Sequence, residues 1–248
     1  MDGITFWLTA TFAAFCVGLS KGGVPVISAM AVPMMSLVMS PILAAGLLLP
    51  VYIAADMGGL YAYRHKFNAR VFKIMAAAMP VGVFIGWLTS SYVSEAAVTI
   101  IIGLIGGSFA VNMILRKPIT GDPVAARVKP GLFWGTITGF TSFVSHSGAT
   151  PYQIYTLPLR MDKITFAGTV TVTFAYINIV KLIPYYALGQ LSAENLRAAM
   201  VLLLPAMIGV FAGVKVVKVM PEKLFFRIII WALLILSIKL IWDGFARL

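Results

Sequence analysis

Between Pro41 and Tyr63 the chain carries one charged residue, Asp56, and between Ala96 and Leu115 it carries none. Apolar stretches of about 20 residues match the hydrocarbon thickness of a bilayer. In lipid every backbone N–H and C=O must find its partner inside the protein, so such stretches can only be helices or strands of a closed barrel. These runs are too long and too unalternating for barrel strands. The expected fold class is therefore an all-α polytopic membrane protein. Composition agrees: 60% of the 248 residues are hydrophobic and 11% are charged, against about 25% charged in a soluble domain. Residues 1–248 read as one membrane domain with no soluble domain attached.

A net charge of +11 could indicate a nucleic-acid partner. The basic residues, however, lie in short loops between apolar spans rather than on one polar face, which excludes that class. The remaining partner is the lipid bilayer itself, whose cytoplasmic side collects Lys and Arg. Cys16 is alone and cannot form an internal disulfide. The N-terminus has Asp2 where a secretory leader needs a basic region, so the first segment is expected to stay in the mature protein.

The two halves repeat. Gly18-Leu19-Ser20-Lys21-Gly22-Gly23 runs on to Pro33, and Thr141-Ser142-Phe143-Val144-Ser145-His146-Ser147-Gly148 runs on to Pro158, all at an offset of 125. Pro80 and Pro205 share that offset, and Gly86 with Gly213 and Glu95 with Glu222 follow at 127. Repeat one is 1–115, a linker rich in Gly and Pro is 116–129, and repeat two is 130–248. Each half opens with two short segments: Ile4 to Gly18 and Val24 to Met39, then Gly131 to Phe143 and Ala149 to Leu159. Three long spans follow in each: Pro41 to Tyr63, Val71 to Ser90 and Ala96 to Leu115, then Ile164 to Leu188, Leu196 to Val217 and Leu224 to Trp242. The short segments are marginal for a full crossing, so each pair reads as a re-entrant hairpin or a broken helix pair.

Charge orients the spans. With each short pair returning to its starting side, Arg64, Lys66, Arg70, Lys73, Arg116, Lys117, Arg127, Lys129, Arg160, Lys163, Lys215, Lys218, Lys223 and Arg227 share one side. The other side keeps little beyond Glu95, Glu194, Arg197 and Arg247. The basic side is expected to be cytoplasmic. Both termini then lie outside the cytoplasmic membrane and the linker inside. An odd number of segments per half makes the halves inverted repeats, an architecture of secondary transporters in which interrupted helices mark the substrate site.

The interrupted loops carry candidate chemistry. In Ser20-Lys21-Gly22-Gly23-Val24-Pro25 the glycines let a ligand approach the backbone, and Pro25 suits the first turn of a following helix. A helix start there would offer free N–H groups to an anion, with Lys21 beside it. In the second copy Ser145, His146, Ser147 and Gly148 precede Pro151, and His146 stands at the offset of Lys21. Two such loops, entering from opposite faces, would form a cage for a small oxyanion. Inside the long spans, Asp56 and Lys181 share the 125 offset and could neutralise each other; ionisable groups in a membrane span are functional candidates. Asn178 lies on the face of Lys181, Tyr52 one turn before Asp56, and Gln153 and Tyr155 after the second loop. Asp56 or His146 could couple movement to protons. Gly103, Gly106, Gly107, Gly209 and Gly213 suit close helix packing and permit a homodimer. With His65, His146 and Cys16 the only such ligands, no metal or other cofactor is expected, and no nucleotide-binding or triad motif points to an enzyme.

The Gly-Leu-Ser-Lys-Gly-Gly-Val-Pro stretch at Gly18–Pro25, its degenerate copy around Ser145 to Pro158 and the small all-helical layout resemble the TauE/SafE family of sulfite and organosulfonate transporters. The second copy departs from the glycine-rich form common in that family. The resemblance implies a small sulfur-containing anion as cargo (sulfite, a sulfonate or thiosulfate), moved by a secondary mechanism. The residues alone reach an anion and not sulfur. An anion channel or facilitator with the same loops, or a membrane-embedded enzyme or insertion factor, also fits the residues.

Overall fold

The computed structural model describes residues 3–25, 27, 31–35, 37–39, 41–89, 92, 94–115, 123–144, 147–187 and 193–246, with backbone only at 33, 41–43, 45, 95 and 193–196. In chain order the helices are α1 (Ile4–Lys21), α2 (Ala31–Met35), α3 (Pro41–Tyr63), α4 (Ala69–Thr89), α5 (Glu95–Leu115) and α6 (Val128–Val144). They continue with α7 (Ala149–Thr156), a 3-10 turn at Leu157–Leu159, α8 (Lys163–Ala187), α9 (Ala193–Val219) and α10 (Glu222–Phe245). No strand occurs among the described residues. Among the described residues six helices are long and apolar enough to cross a membrane: α1, α4, α8 and α10, with α5 from Ala96 and α9 from Arg197. Leu8, Phe12, Leu104, Leu204, Phe211, Ile235 and Trp242 are exposed on these helices, a surface that lipid covers and water would penalise. The chain is a multi-pass membrane protein.

The expected long spans lie on α3, α4, α5, α8, α9 and α10, within a few residues, and α1, expected as a short segment, is itself of membrane length. The first short pair differs. α1 does not stop at Gly18 but continues to Lys21, so Ser20 and Lys21 form its last turn rather than a loop. From Val24 to Met39 the described helix is only Ala31–Met35. The second pair is close to expectation, although α6 begins at Val128 and takes the last residues of the expected linker. The start of that linker, 116–122, lies outside the described residues. Its remainder is pinned: Val124 N–H donates to Leu159 C=O at 3.0 Å, Arg70 Nε to Ala126 C=O at 2.9 Å and Tyr155 O–H to Arg127 C=O at 3.0 Å.

The chain divides into two compact units, and each takes helices from both sequence halves. Met1–Phe67 and Ala167–Met220 make the first, and Asn68–Phe166 and Pro221–Leu248 the second. In the first, α1 lies along α9 and against α3; in the second, α6 lies along α4 and α5 along α10. Small residues make both long crossings. A Cβ on Gly18 would strike the Ala206 carbonyl, and one on Gly209 the Phe15 carbonyl. In the second unit Gly139 faces the Met79 carbonyl and Gly82 the Thr136 carbonyl in the same way. Without a hydrophobic drive between helices in lipid, such backbone approach is what holds them. The glycine faces that suggested a homodimer are thus filled within the chain: Gly209 and Gly213 by α1, and Gly103 and Gly106 by α10 and α7.

The crossings also reset the repeat register. Gly139 follows Gly18 by 121 positions and Thr136 follows Phe15 by 121, while Gly209 and Ala206 follow Gly82 and Met79 by 127. The loop offset of 125 therefore does not extend back through α6. The second copy holds four more residues, about one helical turn, between its crossing glycine and its loop. In the register of the crossings, Ser142 stands at the position of Lys21.

Two predictions follow from the packing. Gly18→Ala and Gly139→Ala force carbonyl and Cβ apart and should each cost about 1–3 kcal/mol. Gly107→Ala, which meets only Ser237 Cβ at 3.5 Å, should be neutral or stabilise slightly. Thermal midpoints of the purified variants check this, and equal losses at Gly18 and Gly107 would contradict it. The second concerns the start of α8, where Asp162 Oδ1 accepts the N–H groups of Ile164 and Thr165, each at 3.0 Å. Burial alone would raise the Asp162 carboxyl, but hydrogen bonds from Thr165 and Ile164 outweigh it and hold it below the usual carboxylate range. Because the folded value is depressed, this stabilisation is present above the unfolded value of about 3.9 and disappears as pH falls through the folded one. Asp162→Ala should cost about 1 kcal/mol at neutral pH, and the difference from wild type should vanish in acid; a difference that persists in acid would refute the cap.

Candidate functional site

The site is built where α1 ends. The last carbonyls of a helix lack intrahelical partners, and here side chains from two other helices supply them. Thr171 O–H of α8 donates to the Lys21 carbonyl at 3.1 Å, and Tyr63 O–H of α3 donates to the Gly22 carbonyl at 2.7 Å. Gly23 turns the chain at φ 112, a conformation that favours glycine, and a Cβ there would lie 2.6 Å from the Tyr63 hydroxyl. Gly59 has no Cβ to occupy the place where the Lys21 carbonyl sits, 2.7 Å away. Ser20 O–H reaches across the turn to the Pro25 carbonyl at 3.2 Å. The loop Ser20–Pro25 is thus a fixed turn that sets the direction of Lys21.

Lys21 is 6% exposed and Asp56 1%. Lys21 Nζ lies 2.7 Å from Asp56 Oδ1, and Asn178 Nδ2 donates to Asp56 Oδ2 at 2.7 Å. One carboxylate oxygen thus accepts a hydrogen bond and the other faces the Lys21 charge. Tyr52, one turn before Asp56, places its ring 5.3 Å from Lys21 Nζ, within cation–π range. Lys181, three residues beyond Asn178, is also buried, and its charge acts on both Lys21 and Asp56. Asp56 makes its short ion pair with Lys21, and the buried Lys181 also acts on it by charge. The arrangement corrects one expectation. Lys21 does not stand at a helix N-terminus: because α1 continues to it, it occupies the negative end of the helix dipole, which favours its charge.

The second copy belongs to the other unit and has different chemistry. Ser145 and His146 lie outside the described residues. Of the described residues near them in sequence, Thr138, Thr141, Ser142, Ser147, Thr150, Gln153 and Thr156 are all buried. Ser147 N–H donates to the Thr141 carbonyl at 3.2 Å, and a Cβ on Gly148 would meet Ser142 Cβ at 2.7 Å. Gln153 Oε1 and Thr150 Oγ1 have no hydrogen-bond partner. This is a cluster of neutral hydroxyl and amide groups, whereas Lys21, Asp56, Asn178, Lys181 and Tyr52 form the charged one. Among the described residues no group of His, Cys, Asp and Glu could hold a metal ion. Sequence reasoning missed Thr171, Tyr63 and Gly59. The one available signal was the run Thr169, Thr171, Thr173 inside an apolar helix.

Among the described residues, six membrane-length helices and, within the first unit, a buried ion pair at the end of α1 define a membrane protein with charges held away from water. The TauE/SafE sulfite exporter family matches residues 9–240, and the chain belongs to it. That family is one of membrane transporters for sulfur-containing anions, not of enzymes. No curated protein and no solved structure matches the chain.

Removing one partner of a buried ion pair leaves an uncompensated charge, which costs about 3–5 kcal/mol, whereas an apolar pair of similar size is often neutral. Lys21→Met and Asp56→Leu should each lower the thermal midpoint strongly, and the double variant should recover most of the loss. A double variant as unstable as the two losses combined would show that the pair is not a unit.

Proposed function

We propose that this chain is a secondary transporter that moves a small sulfur-containing oxyanion, in the class of sulfite, sulfonates and thiosulfate, by alternating access around a midplane site. The observation that carries the reading is the buried group Lys21, Asp56 and Asn178 at the end of α1, with Lys181 and Tyr52 beside it. Charges held out of water in a membrane protein mark substrate and ion paths. Lys21 supplies three N–H donors, of which Asp56 engages one, and Ser20, Gly22 and Gly23 give the turn that carries it. In this reading the second loop, Ser145, His146, Ser147 and Gly148, with Gln153 after it, also contributes to substrate binding, and the two repeats act as inverted halves. The basic loops support a cytoplasmic-membrane location with the linker 116–129 inside and both termini outside.

Binding of an anion panel to the purified protein tests this: sulfite, thiosulfate, sulfate, a C2 sulfonate, acetate and chloride, with wild type beside Lys21→Ala and His146→Ala. The expected result is binding of a sulfur oxyanion, reduced at least about tenfold by each substitution, equivalent to 1.4 kcal/mol or more. Flux into proteoliposomes should saturate. Binding indifferent to both residues would overturn the site, and flux that rises linearly without saturation would make the protein a channel.

A further inference from the structure

Along α10 one face is buried and the opposite face is not. Phe225, Ile229, Leu233 and Leu240 are buried, and the helix lies along α5. The other face exposes Leu224, Ile228, Trp231, Ile235, Ile238 and Trp242. These follow one another at three or four residues, so they form one apolar stripe. Lys223 and Arg227, both exposed, flank its start, and Arg227 lies one turn before Trp231. From Ile228 to Ile238 the helix rises about 15 Å, half of a hydrocarbon core of about 30 Å, which is the depth of one leaflet.

The chain itself does not compensate the two cations. They stand four residues apart, so their charges repel, and they lie in the first two turns of the helix, at the positive end of its dipole. Glu222 is the acid of the first turn, but one carboxylate does not balance two cations. Neither Lys223 nor Arg227 makes a salt bridge among the described residues. The backbone that carries them is nonetheless anchored. Phe166 of α8 meets Phe225 and Phe226 edge-on, with ring centroids 6.1 and 5.5 Å apart.

We propose that this face of α10 binds one anionic phospholipid, with Lys223 and Arg227 on the headgroup and the stripe from Leu224 to Ile238 along an acyl chain. Charge complementarity selects the occupant. A zwitterionic lipid brings a cation of its own with its phosphate. A second copy of the chain, paired about a two-fold axis along the membrane normal, would set the same lysine and arginine against themselves. The lipid belongs to the leaflet where α10 begins, the cytoplasmic one in the topology proposed above. The inference needs the chain to be a membrane protein and does not depend on what it transports.

Native mass spectrometry and thermal unfolding of the purified full chain test it, with phosphatidylglycerol compared with phosphatidylcholine of the same acyl chains. A cation near an anionic lipid surface favours binding about fivefold, so two should favour phosphatidylglycerol roughly 25-fold. Wild type should retain it at one site with that preference and unfold at a higher temperature in its presence. Lys223→Gln combined with Arg227→Gln should lose both effects. Without lipid this double variant should be no less stable than wild type, since it removes charges from the positive end of a helix. Lys73→Gln combined with Lys129→Gln, the same charge change at two other exposed positions, should keep both effects. Equal retention of the two lipids by wild type, a preference that survives in the Lys223 and Arg227 double variant, or one lost as fully in the control, overturns the inference. So does a two-chain mass that the double variant reduces to one, which would assign the face to a second copy.

Discussion

A lysine and an aspartate placed 2.7 Å apart and almost wholly out of water set most of what surrounds them. Such a pair recovers its desolvation cost only with good geometry and further hydrogen bonds, and three helices supply that. α1 brings Lys21, α3 brings Asp56 and Tyr52, and α8 brings Asn178 to the second carboxylate oxygen and Thr171 to the Lys21 carbonyl. The buried charged residues of these three helices meet at this contact.

The glycine crossing of α1 with α9 is the other half of that arrangement. Gly18 and Gly22 sit against the backbone of Ala206, Val210 and Gly213, so the last turn of α1 is held by steric fit on one face while Lys21 meets Asp56. The second unit repeats the crossing, with Gly139 on Met79 and Gly82 on Thr136, but Ser142 stands where Lys21 stands in the first. One scaffold thus carries a charged end in one unit and a hydroxyl-rich end in the other.

Much of this was legible in the sequence. The long spans, the repeat, and Lys21, Asp56, Asn178 and Lys181 as polar intrusions all follow from the rarity of charge in an apolar chain. What was not legible was which groups meet. The 125 offset pairs Asp56 with Lys181 and Lys21 with His146, but spacing along a chain says nothing of contacts between helices, and the four extra residues before the second loop shift the register by a turn. The end of α1 was misplaced because Gly18 reads as a terminator, whereas here it is a packing residue inside a helix that closes at Lys21. Thr171 and Tyr63 were passed over because a hydroxyl in a membrane helix ordinarily bonds its own backbone, as Thr138 does to Trp134.

The most direct test of the central claim is a crystal structure grown with a bound sulfonate, with the ligand sulfur located by its anomalous signal. The account places the sulfonate oxygens within hydrogen-bond distance of a lysine of the Lys21–Asp56–Lys181 cluster. A well-occupied sulfonate elsewhere, with that cluster unchanged and unliganded, would show that the buried charges serve structure alone.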